Sequence, residues 1–141
     1  MKNFAFIILA TLIFFAANAT GTFACSCVTP SAVKEEIKTT DAVFSGKVTS
    51  VSKFRGAWKV KFRVEKTWKG SLPKTITLVT AQDSAMCGYN FKARKKYLIY
   101  AKRDDKNKLS VSLCSRTAEL SKASEDVKVL DKLKTEQTSK D

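Results

Sequence analysis

The chain contains no histidine, and that absence closes off several chemistries at once. Without imidazole there is no Ser-His or Cys-His nucleophile pair and no histidine-bearing metal site. Glycine is scarce, five in 141 residues, and none of it forms a loop suited to cradling a phosphate. Acids are half as numerous as bases, 13 against 26. The adjacent acids Glu35-Glu36, Asp104-Asp105 and Glu125-Asp126 fall in turns or on helical segments, where such charges are ordinarily just solvated. An enzyme is not expected, nor any cofactor of its own. Long apolar runs are also missing apart from residues 4–17, a stretch shorter than the ~20 residues a membrane span needs.

That one run follows Lys2 and ends in small residues, the order of a secretory signal peptide. Residues 1–24 are read as that peptide, with Thr22-Phe23-Ala24 before the cut and Cys25 as the first mature residue. The alternative cut follows Ala19, where Ala17-Asn18-Ala19 fits the small-x-small rule better. Acylation of Cys25 as a lipoprotein is the weaker reading, because Thr22 stands where leucine is expected and Phe23 is bulky. The protein is therefore expected outside the cytoplasm, extracellular or periplasmic. A single domain is expected over residues 25–134, followed by a disordered polar tail at 135–141. Removing residues 1–24 takes away Lys2 and no acid, so the formal net charge falls from +13 to +12. A domain this basic points to acidic partners such as polysaccharide or an anionic surface. Export argues against nucleic acid.

Four cysteines are present, Cys25, Cys27, Cys87 and Cys114, all beyond the signal peptide. An even number in an exported chain of this size reads as two disulfides. A Cys25–Cys27 bridge would close a strained ring over one residue, which leaves both N-terminal cysteines tied to distant points and two connectivities open. A structural metal site lacks ligands, with no histidine and no second close cysteine pair.

After Pro30, SAVKEEIK suits one or two helical turns. From Ala42 the apolar period becomes two: Ala42, Phe44, Gly46 and Val48 share one face. In WKVKFRVEKTW, Trp58, Val60, Phe62 and Val64 alternate with Lys59, Lys61, Arg63 and Glu65. Arg55-Gly56-Ala57 marks the turn between these strands, and the Gly70 to Pro73 stretch marks the next. KTITLVTA, KKYLIYAK and KLSVSLC read as three further strands. From Thr117 onward Leu120, Ala123, Val127, Leu130 and Leu133 follow helical spacing. The class is therefore mainly β: five antiparallel strands, too few for a sandwich, closed as an OB-fold-like barrel between a short N-terminal helix and a C-terminal amphipathic helix. Trp58 and Trp68, in phase with Val60 and Phe62, are expected in the core and not as stacking platforms. Lys59, Lys61 and Arg63 are candidates for polyanion binding on the wet face.

CSCVTP, FRVEKTWKG, TAQDSAMCG and KKYLIYAK, in that order, resemble segments of the N-terminal, netrin-like domain of the tissue inhibitors of metalloproteinases. CSCVTP is similar to the family's opening Cys-Thr/Ser-Cys-Val-Pro-Pro, with Thr29 in place of a proline. The resemblance implies disulfides Cys25–Cys87 and Cys27–Cys114. It implies a secreted, monomeric inhibitor of zinc metalloendopeptidases. The α-amine and carbonyl oxygen of Cys25 would bind the target's catalytic zinc in trans. Ser26 would enter the specificity pocket, Cys27, Val28 and Thr29 would run along the cleft, and Ser84, Ala85 and Met86 would lie on its other side. Two family features are absent: a third disulfide and a second cysteine-rich domain. The alternative is a non-inhibitory netrin-like module docking on anionic matrix or envelope polymers through its basic face.

Overall fold

The computed structural model describes residues 25–139. The expected signal peptide and its two candidate cuts, together with residues 140–141, lie outside the described residues. In chain order the elements are α1 (Val33–Thr39), β1 (Ala42–Phe54), β2 (Ala57–Lys69), β3 (Thr75–Ala81), β4 (Lys96–Arg103), β5 (Leu109–Ser110) and β6 (Ala118–Glu119), then a 3-10 turn (Leu120–Lys122) and α2 (Ser124–Thr138). None of the described helices is long and apolar enough to cross a membrane.

The five antiparallel strands expected are six in one mixed sheet. Pairing runs β1–β2–β3–β5–β4 and returns from β4 to β1. A circuit through an odd number of strands cannot alternate direction at every step, so one pair must be parallel. It is β3 with β5, at Val79 and Ser110. The strand expected over KLSVSLC is reduced to two residues because the chain changes partner there. Leu109 and Ser110 pair with β4, Val111 N–H donates to the Val79 carbonyl, and Ser112 bridges to Gly88. β6 adds a short pairing to β4 at Tyr97 and Leu98.

The β1–β2 hairpin turns on Arg55 (φ 46°) and Gly56 (φ 75°). Two successive positive φ angles are the geometry of a two-residue turn whose twist matches the strands, which is why glycine stands at 56. Along this pair Thr49, Glu65 and Trp68 each lack a partner in the register, three bulges in one long ribbon. Each bulge advances one strand by a residue and reverses its inside-outside phase. Alternation up to the first bulge is as read: Ala42, Phe44 and Val48 face Val60, Phe62, Leu78, Ile99 and Phe91 within the ring of strands. Trp68 is different. It is buried as expected, but the bulge at Glu65 moves it to the opposite face from Val60 and Phe62. Trp58 stays on the inner face, half-buried, with its indole N–H on the Gln82 carbonyl at 2.8 Å.

A second core lies between the outer face of the sheet and the helices. Val33 of α1, Val43, Trp68, Leu98, Tyr100, Ala123 and Leu130 form it, so β1 and β4 are apolar on both faces where helices cover them. Leu130 is fully buried, the apex of the stripe read from the sequence. Polar contacts fix the helix in place: Trp68 donates to Asp131 Oδ1 at 2.5 Å and Lys134 donates to the Thr67 carbonyl at 2.7 Å. Lys66 and the Trp68 indole together hold the Asp131 carboxyl below the usual carboxylate range. Where a disordered tail was expected from residue 135, the helix continues to Thr138. The Thr135 and Thr138 hydroxyls donate to the Asp131 and Lys134 carbonyls one turn back, at 3.0 Å each.

Candidate functional site

Beyond the ring of strands, residues 25–29 run as an irregular segment tied down at two points. Cys25 is bonded to Cys87 and Cys27 to Cys114, with Cα separations of 5.2 and 5.1 Å. This is the pairing the family resemblance implies. The two bridges touch, Cys25 Sγ lying 3.6 Å from Cys114 Sγ. That contact also explains why three sulfurs sit within 4.8 Å of one another, a cluster that would otherwise suggest a metal site. All four cysteines are oxidised, so no thiolate is available as a ligand.

Cys25 N–H donates to the Ala85 carbonyl at 3.1 Å, which lays residue 25 against the loop that carries Ser84, Ala85 and Met86. The Cys25 carbonyl oxygen accepts no hydrogen bond among the described residues. Ser26, Cys27, Val28 and Thr29 are exposed, as are Ser84, Ala85 and Met86. Two of these are large apolar side chains in water: Val28 is 87% exposed and Met86 60%. Leu113, 42% exposed, stands one residue from the second bridge. The sequence-derived candidates Cys25 to Thr29 and Ser84 to Met86 are thus one continuous surface. Lys59, Lys61 and Arg63 are not part of it; they lie on the outer face of β2.

The loop is built by residues the sequence reading did not single out. Asp83 accepts from Met86 N–H at 3.0 Å through its carboxylate and from Gly88 N–H at 2.8 Å through its carbonyl. Cys87 takes a positive φ of 60°, the turn that aims its sulfur at Cys25. Gly88 is required for space: a Cβ there would lie 2.2 Å from the Ala81 carbonyl oxygen. The Asp-Ser-Ala-Met order was a legible turn signal for Asp83. No local signal existed for Arg116. Its guanidinium grips Asp126 at 2.9 and 2.6 Å and donates a third bond to the Ser31 carbonyl at 2.9 Å, so the far end of the ridge is clamped to α2. Tyr100 completes the group by donating to Asp126 at 3.0 Å. Burial first, then the Asp126 charge, pushes the Tyr100 hydroxyl well above the ordinary phenol range. The Asp126 hydrogen bond raises Arg116 above the ordinary guanidinium range, so its positive charge is kept at any physiological pH.

The site is thus a doubly crosslinked segment, exposed from residue 26 to 29, beside the exposed loop of Ser84, Ala85 and Met86. The family model described as Tissue inhibitor of metalloproteinase matches residues 23–132. The match takes in both disulfides, the ring of strands and most of α2, and the chain belongs to that family. A search of curated proteins gave no significant match.

Proposed function

We propose that this chain is a secreted inhibitor of zinc metalloendopeptidases and that its ridge, residues 25–29, acts as an uncleavable substrate mimic. The ring of strands is read as the OB-type barrel of netrin-like modules. The single observation carrying the proposal is the setting of Cys25. Its nitrogen and its unbonded carbonyl oxygen belong to one half-buried residue at the head of an exposed segment, anchored by a disulfide and by the Ala85 carbonyl. Once residues 1–24 are removed, that nitrogen is an α-amine. One N–H can keep the bond to Ala85 while the lone pair remains free. An α-amine titrates near pH 8, so its neutral form is accessible at little cost, and adjacent N and O donors fit a metal held by the partner. Binding there would exclude the water such a metal activates. The protein itself would supply no metal and catalyse nothing.

The ridge has little freedom left to lose on docking, since both ends of Cys25-Ser26-Cys27 are crosslinked. Ser26 is the side chain between the bridges and would enter the enzyme's specificity pocket, with Val28 and Met86 burying apolar surface on either side. Replacing Ser26 by Arg tests this directly. The expected result is inhibition weakened about tenfold or more against an enzyme with a neutral pocket, with the thermal transition unchanged because Ser26 is exposed. Unchanged inhibition by Ser26→Arg would remove Ser26 from the interface and with it the substrate-mimic geometry.

A further inference from the structure

The net charge of this protein is not spread over its surface. Fifteen of the 26 basic residues and only two of the 13 acids lie between residues 42 and 103, so the strands β1 to β4 and their loops carry the entire net +13. The helices and termini balance to zero. Within the sheet the charge is arranged by register. Lys47 stands opposite Lys96 on β4 and opposite Arg63 on β2. Val48 and its partner Phe62 point into the ring, so Lys47 and Arg63 point outward. On β2, Lys61 and Lys59 continue the same outward face, opposite Ser50 and Ser52 on one side. Thr77 and Thr75 stand opposite Lys61 and Arg63 on the other.

Like charges directly opposite one another in a sheet cost stability. Here three occur in a row across adjacent strands. Among the described residues one acid meets them, Glu65 at 3.0 Å from Lys96, and no ion pair engages Lys47, Lys61 or Arg63. Edge protection does not account for the row, because β1 and β2 are paired on both sides. Helix α2 covers the neighbouring part of the outer face through Val43, Leu98 and Trp68, and the cations begin where that cover ends. What remains is a pleated strip of ammonium, guanidinium and hydroxyl groups. Its one aromatic, Phe54 at the hairpin end, has the Lys59 ammonium 3.4 Å from its ring centroid.

We infer that this outer face of β1, β2 and β4 is a docking surface for a linear acidic polysaccharide. Cations repeat along β2 at alternate residues and across the strands, so successive sulfate or carboxylate groups meet successive positive charges, with serine and threonine hydroxyls between them for sugar hydroxyls. Single-stranded nucleic acid would gain from open aromatic faces for its bases, and Phe54, with the Lys59 ammonium over its ring, offers none. No residue of the strip is hydrogen bonded to residues 25–29, so polysaccharide and protease binding are separable.

The test uses the full mature chain, fragments of heparin and of polygalacturonate as sulfated and carboxylated probes, and oligothymidylate as the nucleic-acid probe. Two variants remove the same charge: Lys47→Gln, Lys61→Gln and Arg63→Gln on the strip, and Lys106→Gln, Lys122→Gln and Lys132→Gln elsewhere. The strip variant is expected to lose about tenfold or more in affinity for at least one polysaccharide at ~0.15 M salt, and the control less than about threefold. The strip variant should fold at least as well as the parent, since it relieves repulsion. Equal losses in the two variants would overturn the proposal, since net charge alone would then suffice. So would the absence of binding to both polysaccharides, or tighter binding to oligothymidylate than to either. Whichever of heparin and polygalacturonate binds tighter identifies the anion.

Discussion

A mature chain extended by a single alanine before Cys25 will fold, retain both disulfides and lose inhibition by about a thousandfold or more, on the order of 4 kcal/mol. The reason is electronic before it is steric. An amine nitrogen has a lone pair to donate; the same nitrogen in a peptide bond shares its lone pair with the carbonyl and cannot act as a ligand. The extension also places a methyl and a carbonyl where the partner's metal would sit. Nothing else should change. Cys25 N–H would still donate to the Ala85 carbonyl, and Cys25 would remain bonded to Cys87. The extended chain is therefore a control that separates the chemistry of one nitrogen from the shape of the surface. Inhibition constants measured side by side for the two chains, together with their thermal transitions, give the answer. Equal inhibition by both would exclude the amine as a ligand.

The second large effect is expected on removing the Cys27–Cys114 bridge, by the double replacement Cys27→Ser and Cys114→Ser. The bridge spans 87 residues of sequence. In the chain-entropy description a crosslink of this span stabilises by about 3–5 kcal/mol, a large share of the roughly 5–15 kcal/mol typical of a domain. The thermal transition should fall on the order of 15 °C. Inhibition should weaken as well, by about tenfold, at temperatures where the variant is still folded, because residues 26–29 would then have to be ordered on binding. Cys25–Cys87 remains, so the amine stays anchored and inhibition is not abolished. Unfolding followed by far-ultraviolet dichroism, with inhibition measured well below the transition, distinguishes the two contributions. A variant as stable as the parent would mean that the bridge restrains little in the unfolded chain.

Much of the architecture follows from local pattern. The alternation from Trp58 to Val64 placed one side of β2 inside the ring, and Arg55-Gly56 located the hairpin. Apolar positions spaced three and four apart located α2 and its buried Leu130. What pattern could not supply is anything decided by one strand meeting another. The bulge at Glu65, which carries Trp68 to the other core, is a property of the β1–β2 pair and has no marker in either strand alone. The parallel pairing of β3 with β5 follows from closing five strands into a circuit, a constraint invisible along the chain. The candidate site divides in the same way. Cys25 to Thr29 and the Asp83 turn could be read from the sequence, and the choice between the two open disulfide pairings came from the family resemblance. The Arg116–Asp126–Ser31 clamp joins three parts of the chain up to 95 residues apart, from Ser31 to Asp126, and only the folded molecule brings them together.

The position of the mature N-terminus underlies all of this, since the same surface with an acylated or extended nitrogen is only a shaped ridge. The most direct measurement is the intact mass and N-terminal sequence of the exported protein from its own host. A chain beginning at Cys25, unmodified and with both disulfides formed, is the predicted result. A chain beginning at Thr20, or one acylated on Cys25, would contradict ligation through the Cys25 amine.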